Sequence, residues 1–192
     1  MPVSAALKGT FTNIRKDDTE PRYRYLVEVI GGVVYAMSAP STKHQRVVGK
    51  LYGFLLFQLM GHPCEPFVAP YDVVLFPEQE DAEDYVLEPD VLVVCDSSKI
   101  HPDRCYGAPD FIIEVLSPSN PEHDLDTKRG LYEKARVREY WVVDPEQQWL
   151  RQFRLNPQGR FEGTHLPARG SVAIEALPGC VINFDQVFSH PF

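Results

Sequence analysis

The chain has 192 residues, of which 44% are hydrophobic and 24% are charged, and its formal net charge is -8. This length and composition are typical of one globular domain with a substantial core. The acidic balance argues against a general nucleic-acid binder, because phosphate contacts usually require a basic face. The surplus is local, since residues 71–90 contain eight acidic residues and no basic one.

The amino-terminal sequence and the cysteines indicate a cellular compartment. No stretch approaches the ~18 apolar residues of a membrane helix, and the first residues lack the regions of a signal peptide. We therefore expect a cytoplasmic protein with no membrane partner. The four cysteines are scattered, with no CxxC pair, so we expect reduced thiols and neither a zinc site nor a disulfide framework. They are Cys64, Cys95, Cys105 and Cys180.

The first part of the chain predicts an arm, a hairpin and a helix. Residues 1–21 are polar and are expected to form a flexible arm, with residues 22–192 forming a single domain. A β-hairpin is predicted over residues 25–37, because Gly31-Gly32 suits the positive φ angles of a tight turn. A helix follows over about residues 42–60, and His44 stands one turn before its apolar stripe.

The rest of the chain is rich in short strands, and 17 prolines interrupt it. The order of elements favours an α/β or α+β fold, with a mixed sheet flanked by helices and with hairpins near both ends. Many sheet edges result, which a homodimer could cover. We predict strands over residues 67–76 (with Pro70 near an edge or bulge), 90–95, 111–116, 139–143, 149–155, 160–163, 171–176 and 181–184, and a final turn at 185–188.

Glu114 interrupts an apolar strand. It shares one face of the predicted strand 111–116 with Ile112 and Leu116, and the opposite face is apolar throughout. A buried carboxylate costs several kcal/mol unless something compensates, so it indicates a site. The alternative is an edge strand with Glu114 in solvent.

Asp90 opens the predicted strand 90–95, directly after Pro89, which cannot donate to a ladder and therefore marks a strand start. Alone, Asp90 is better explained as a turn residue at the entry to the strand. Its pairing with Glu114 favours a functional role.

Lys128 lies in the apolar stripe of a predicted helix. Asp124 or Asp126 can cap this helix, which runs to about Val137. Lys128 falls three residues before Leu131 and four before Tyr132, on the face that is otherwise apolar. Its ammonium either snorkels to the edge or meets the two carboxylates.

Two carboxylates on neighbouring strands and a lysine from an adjacent helix are typical of metal-dependent phosphodiesterases. Magnesium binds through one or two carboxylates, with water and substrate phosphate completing its shell. The metal acidifies water and neutralises charge on the phosphate, and the lysine can orient water or stabilise the transition state.

At these residues the sequence resembles the Uma family of restriction endonucleases, within the PD-(D/E)XK nuclease superfamily. The resemblance covers about residues 22–188. It implies a restriction-endonuclease-like core that cleaves DNA, with Asp90 and Glu114 as Mg²⁺ ligands (Mn²⁺ substituting) and the Val115 carbonyl as a third. The superfamily lysine normally follows the second acid by two residues, where this chain has Leu116, and the family resemblance places it at Lys128 instead. The motifs are Pro89-Asp90, Glu114 to Ser119, Asp124, Lys128, Tyr132 and Glu139 to Pro145, with Glu28, Gly32, Met37-Ser38, His44 and Ala69 to Val73 upstream.

The secondary candidates for the site are Glu28, His44, Asp124 and Tyr132. A histidine such as His44 is more often a helix-end residue than a catalyst, and the alternative is that it touches substrate or orders metal-bound water. The helix also carries a strip, residues 128–138, with five basic residues against one acidic residue. This strip suits a phosphate backbone or an ordinary solvated helix face.

Three other functions compete with a nuclease. A catalytically silent module that binds nucleic acid or protein is favoured by the acidic charge, although three buried charges bring no benefit to a purely structural core. A serine nucleophile at Ser117 or Ser119 lacks a GxSxG elbow. A glycosidase could use Asp90 and Glu114, but Lys128 fits that chemistry poorly.

Overall fold

The structure, a computed structural model, describes residues 27–37, 39–117 and 123–189, with the side chains of residues 123–125 excepted. The arm predicted for residues 1–21 lies outside these ranges. Three sheets and a small number of helices make up the described chain, in agreement with the predicted mixed α/β architecture.

The main sheet has six strands in the order β11-β10-β9-β8-β6-β3. Its central pair, β8 and β9, is parallel, and the other neighbours are antiparallel, so the sheet is mixed as predicted. The strands are β3 (Glu65–Val68), β6 (Val91–Val94), β8 (Phe111–Val115), β9 (Glu139–Asp144), β10 (Trp149–Leu155) and β11 (Phe161–Pro167).

A second sheet has five strands in the order β2-β1-β5-β4-β7. Its first hairpin turns at Gly31 and Gly32, whose φ angles are 58° and 73°, as the predicted tight turn requires. The strands are β1 (Val27–Ile30), β2 (Val33–Ala36), β4 (Asp72–Val74), β5 (Tyr85–Leu87) and β7 (Arg104–Tyr106). A separate pair consists of β12 (Ser171–Ala173) and β13 (Val181–Asn183).

The helices differ in type as well as in length. The predicted first helix is α1 (Thr42–Gln58), whose N-cap Ser41 accepts from the His44 N–H. The predicted second helix begins as a π-helix (His123–Lys128) and continues as α2 (Arg129–Ala135), which ends at Arg136 in the left-handed region. The final turn is α3 (Phe184–Phe188), and short 3-10 helices span Ala82–Asp84 and Ser97–Lys99.

Two apolar clusters cover the two faces of the main sheet. Val91, Phe111 and Ile113 pack with the buried face of α1, and on the other side Ile112 and Tyr140 pack with Tyr132 of α2. This follows from the alternation of side chains along each strand. Every residue of β6, β8 and β9 is buried, which is the environment predicted for Glu114.

The prediction of one strand over residues 67–76 is wrong. The chain leaves the main sheet after Val68, passes a cis peptide bond between Ala69 and Pro70, and joins the second sheet at Asp72. Proline has no N–H to continue a ladder, so the strand breaks where Pro70 stands.

The prediction of four reduced cysteines is also wrong. Cys64 and Cys95 form a disulfide, whereas Cys105 and Cys180 are free and buried. Pairing of β3 with β6 in the register Glu65↔Val94 brings the two cysteines opposite each other, although 31 residues separate them in sequence. Spacing along the chain does not reveal this contact.

No helix among the described residues combines the length and apolarity that a bilayer span requires.

Candidate active site

The two predicted acids lie next to each other at one end of the central strands. Glu114 is the fourth residue of β8, and Asp90 immediately precedes β6. The antiparallel register Val91↔Ile113, continued by one residue, places Asp90 opposite Glu114. The Asp90 N–H donates to Glu114 Oε2 over 3.4 Å, so the two residues are in direct contact.

Glu114 is held at both of its oxygens. Its Oε1 accepts from Lys128 Nζ at 3.0 Å and from the Tyr132 hydroxyl at 2.8 Å, while Oε2 is turned toward Asp90. The residue is only 3% exposed, which rules out the edge-strand alternative. Charge-assisted hydrogen bonds of this kind offset the cost of burying the carboxylate.

Lys128 lies at the end of the π-helix and points inward. It is 3% exposed, so the snorkelling alternative is wrong. Its Nζ lies 2.8 Å from Glu28 Oε1 as well as 3.0 Å from Glu114 Oε1. One ammonium therefore joins β1 of the second sheet to β8 of the main sheet.

Asp90 has different partners from those of Lys128. Its Oδ2 accepts from the Val115 N–H at 2.8 Å and lies 3.2 Å from His44 Nε2, at the start of α1. Its side chain is 14% exposed, compared with 4% for the Glu114 side chain. Asp90 is therefore the carboxylate of the pair that is more open to solvent.

Glu28 extends the site on the side of the second sheet. It is 2% exposed, and its Oε1 accepts from the Glu88 N–H at 3.0 Å. Glu88 belongs to the acidic segment 71–90, yet it is buried at 3% exposure. The signal that could have found it is its place directly after the apolar run Tyr85–Leu87.

Tyr132 is a neutral donor to Glu114. Burial, followed by the negative charge of Glu114, raises the pKa of Tyr132 well above its usual value. The hydroxyl consequently keeps its proton across the physiological range. The side chain of Asp124, another secondary candidate, lies outside the described residues.

The position of Val115 at the end of β8 explains how its carbonyl could act as a metal ligand. The N–H and C=O of one strand residue point to the same side, and here the N–H is directed at Asp90. Continuing the register of β6 and β8 places Pro89 opposite Val115. Since proline has no N–H, it cannot donate to that carbonyl.

The oxygen atoms at this site suit a hard cation such as Mg²⁺. Asp90, Glu114 and the Val115 carbonyl supply oxygen atoms, which Mg²⁺ and Mn²⁺ prefer. Within the ranges that the structure describes, no three His, Cys, Asp or Glu side chains form a ready ligand cluster. Two carboxylates with a carbonyl would leave positions for water and phosphate, as in many Mg²⁺ sites.

Comparison with known proteins gives the chain a family. The model of the Uma2 family, described as "Putative restriction endonuclease", matches residues 10–185. A protein of Synechocystis sp., named "Uncharacterized protein slr1290", is 27% identical over 141 residues, which are 73% of this chain and 72% of that protein.

A solved structure shares the fold. The crystal structure described as "a putative nuclease belonging to DUF820" from Anabaena variabilis superposes with a TM-score of 0.65 at 18% identity. The match covers 84% of this chain and 89% of the other. The fold is thus restriction-endonuclease-like, as the sequence motifs implied, and the chain belongs to the Uma2 family.

Proposed function

We propose that this protein is a metal-dependent endonuclease that hydrolyses DNA phosphodiester bonds. Membership of a restriction endonuclease family and the nuclease-like fold support the general class. Asp90 and Glu114, with the Val115 carbonyl, would hold Mg²⁺ or, in its place, Mn²⁺. The bound cation would neutralise charge on the scissile phosphate and acidify water.

The observation that carries this proposal is that the two carboxylate oxygens of Glu114 have different partners. One oxygen is fixed by Lys128 and Tyr132 at 3.0 and 2.8 Å, and the other faces Asp90. A carboxylate tied in this way loses little freedom when it acts on a ligand, because its position is already set. Fixed charges aimed at one point are the arrangement that stabilises a developing charge.

The chain's own residues divide the remaining tasks. Lys128 would orient the attacking water and stabilise the charge on the phosphate, while Glu28 Oε1 holds the ammonium at 2.8 Å. Tyr132 orients Glu114, and His44 orients Asp90 across 3.2 Å. Groups that orient a ligand commonly change activity by about 10- to 100-fold when removed.

The test is plasmid cleavage with Mg²⁺ or Mn²⁺, comparing wild type with Asp90→Ala, Glu114→Ala and Lys128→Ala. Glu80→Ala, which removes an exposed acid of the 71–90 segment, is the matched control. We expect loss of nicking in the three site variants and wild-type rates in the control. Equal cleavage by all proteins would contradict the assignment.

Folding of each variant is checked separately, so that loss of activity is not loss of structure. Isothermal titration with Mn²⁺ then measures cation binding directly. We expect Asp90→Ala and Glu114→Ala to abolish the binding heat, and Lys128→Ala to retain it.

A silent binding module that keeps the nuclease fold is the second candidate. The observation that favours it is the burial of the charged groups, since Glu28, Glu114 and Lys128 are all 3% exposed or less. DNA binding without cation binding or cleavage by the wild-type protein would support this candidate over the nuclease.

A further inference from the structure

One lateral row of the main sheet continues outward from Glu114. Glu114 pairs with Val142 of β9, Val142 with Arg151 of β10, and Arg151 with His165 of β11. Directly paired residues in a sheet project from the same face. Arg151 and His165 therefore lie on the same face as Glu114, the face that carries α2.

The strand spacing gives the distances along this row. Neighbouring strands lie about 4.8 Å apart, so the Arg151 backbone is about 10 Å and the His165 backbone about 14 Å from that of Glu114. Trp149, two residues before Arg151 on β10, projects from the same face. We name Trp149, Arg151 and His165 the β10–β11 patch.

The three side chains of the patch contact one another. The Arg151 guanidinium lies over the Trp149 ring at 5.8 Å, and the Trp149 and His165 rings are 5.0 Å apart. Arg151 Nε donates to His165 Nδ1 over 3.3 Å. Because Nδ1 accepts this bond, the neutral imidazole carries its proton on Nε2.

The chemistry of the patch suits nucleic acid. His165 is exposed and Arg151 and Trp149 are half-buried, so all three can reach a ligand while remaining ordered by their neighbours. Arginine offers five donors, of which this contact uses one, and aromatic rings provide stacking surfaces for bases. A guanidinium beside a half-buried aromatic ring is complementary to a phosphate and a base together.

We propose that the β10–β11 patch binds the DNA strand beside the scissile phosphate. Arg151 and His165 Nε2 contact backbone phosphates, and Trp149 stacks on a base. This inference rests on the proposed nuclease function and identifies where its substrate lies. Such a patch would allow an acidic chain to bind DNA, because the contact is local and does not depend on net charge.

The first experiment measures binding without cleavage. A short fluorescein-labelled DNA duplex and its single strand are titrated in EDTA, and fluorescence anisotropy is recorded at several salt concentrations. Arg151→Ala is expected to weaken binding by about tenfold and to reduce the salt slope by about 1. Arg169→Ala is the matched control, since Arg169 is an exposed arginine outside the patch.

The second experiment uses the two tryptophans. Trp141 is fully buried, so quenching of fluorescence by DNA should come from Trp149 alone. We expect DNA to quench the wild-type protein and to leave Trp149→Phe unchanged. His165→Ala should weaken binding less than Arg151→Ala, because it removes one N–H donor whereas the guanidinium has five.

The outcomes separate this inference from the proposed function. Binding that depends on Arg151 and Trp149 supports the patch even if no variant cleaves DNA. Equal affinity of wild type, Arg151→Ala and Arg169→Ala overturns the patch, even where cleavage by the Asp90 and Glu114 site is demonstrated. If the protein cleaves DNA, Arg151→Ala should raise KM and leave kcat unchanged, and a fall in kcat alone also overturns the inference.

Discussion

Replacing Lys128 with methionine tests the central feature of the site, which is one ammonium between two buried carboxylates. Methionine retains the volume of the side chain and removes its charge. Glu28 and Glu114 then face each other without the cation that lies 2.8 and 3.0 Å from them. Removing one partner of a buried ion pair costs about 3–5 kcal/mol.

The stability lost in Lys128→Met depends on pH. Without the ammonium, the pKa values of the two carboxyls are raised in the folded state above their unfolded values of about 4.3. The folded state then binds more protons than the unfolded state over that window, so the variant recovers stability as pH falls toward about 5. Lys128→Met should therefore lie closer to wild type in mild acid than at neutral pH.

Urea denaturation, followed by tryptophan fluorescence, measures the free energy of unfolding at both pH values. The double variant Lys128→Met with Glu28→Gln is the matched control, because it removes one charge of each sign. We expect the double variant to recover about half of the lost stability. A loss below about 1 kcal/mol in Lys128→Met at neutral pH would refute the reasoning, since only exposed pairs contribute so little.

The further predictions concern three other groups. Tyr132→Phe should lower stability by about 1.5–3 kcal/mol, because it removes a buried hydrogen bond to the Glu114 carboxylate. Because the pKa of Tyr132 is raised in the folded state, this tyrosine loses its proton at a lower pH in the unfolded state. The free energy of unfolding of the wild-type protein should therefore fall as pH rises above about 10. Tyr132→Phe should show less of this fall in urea titrations. Burial raises the pKa of the Cys105 thiol to about 11, so its alkylation near pH 8, followed by mass spectrometry, should be about a hundredfold slower than that of an ordinary thiol. His44→Gln should reduce cleavage by about 10- to 100-fold, because His44 orients Asp90 across 3.2 Å.

Control variants and contrary outcomes test these predictions. Tyr52→Phe, on the half-buried side of α1, should leave stability within about 0.5 kcal/mol. His62→Gln alters an exposed histidine and should leave cleavage unchanged. Rapid labelling of Cys105 in the folded protein would show that the thiol is accessible, and unaltered cleavage by His44→Gln would limit His44 to a helix-end role.

The site illustrates how far local patterns extend. Glu114 and Lys128 stand out in sequence because each interrupts an apolar periodicity, and the structure places both inside, 3.0 Å apart. Asp90 has a weaker signal, since a turn at the strand entry is the better explanation of this residue taken alone. It joins the site because antiparallel pairing of β6 with β8 places it opposite Glu114.

Other features have no local signal at all. Glu28 reaches Lys128 because the second sheet packs beside the first, and Cys64 meets Cys95 because β3 pairs with β6. The division of the segment 67–76 between two sheets depends on which partners each half finds. The π-helix before α2 also replaces the regular helix that the 3.6-residue periodicity predicts.

The amino-acid sequence by itself determined most strands of the main sheet, the first helix, the burial of Glu114 and the inward stripe of Lys128. Periodicity fixes these features, because alternation and helical spacing are properties of neighbouring residues. Only the tertiary structure decided that Glu28 shares the lysine, that His44 contacts Asp90, and that Arg151 and His165 continue the row from Glu114. Those contacts depend on strand register and sheet packing, which join residues distant in the chain.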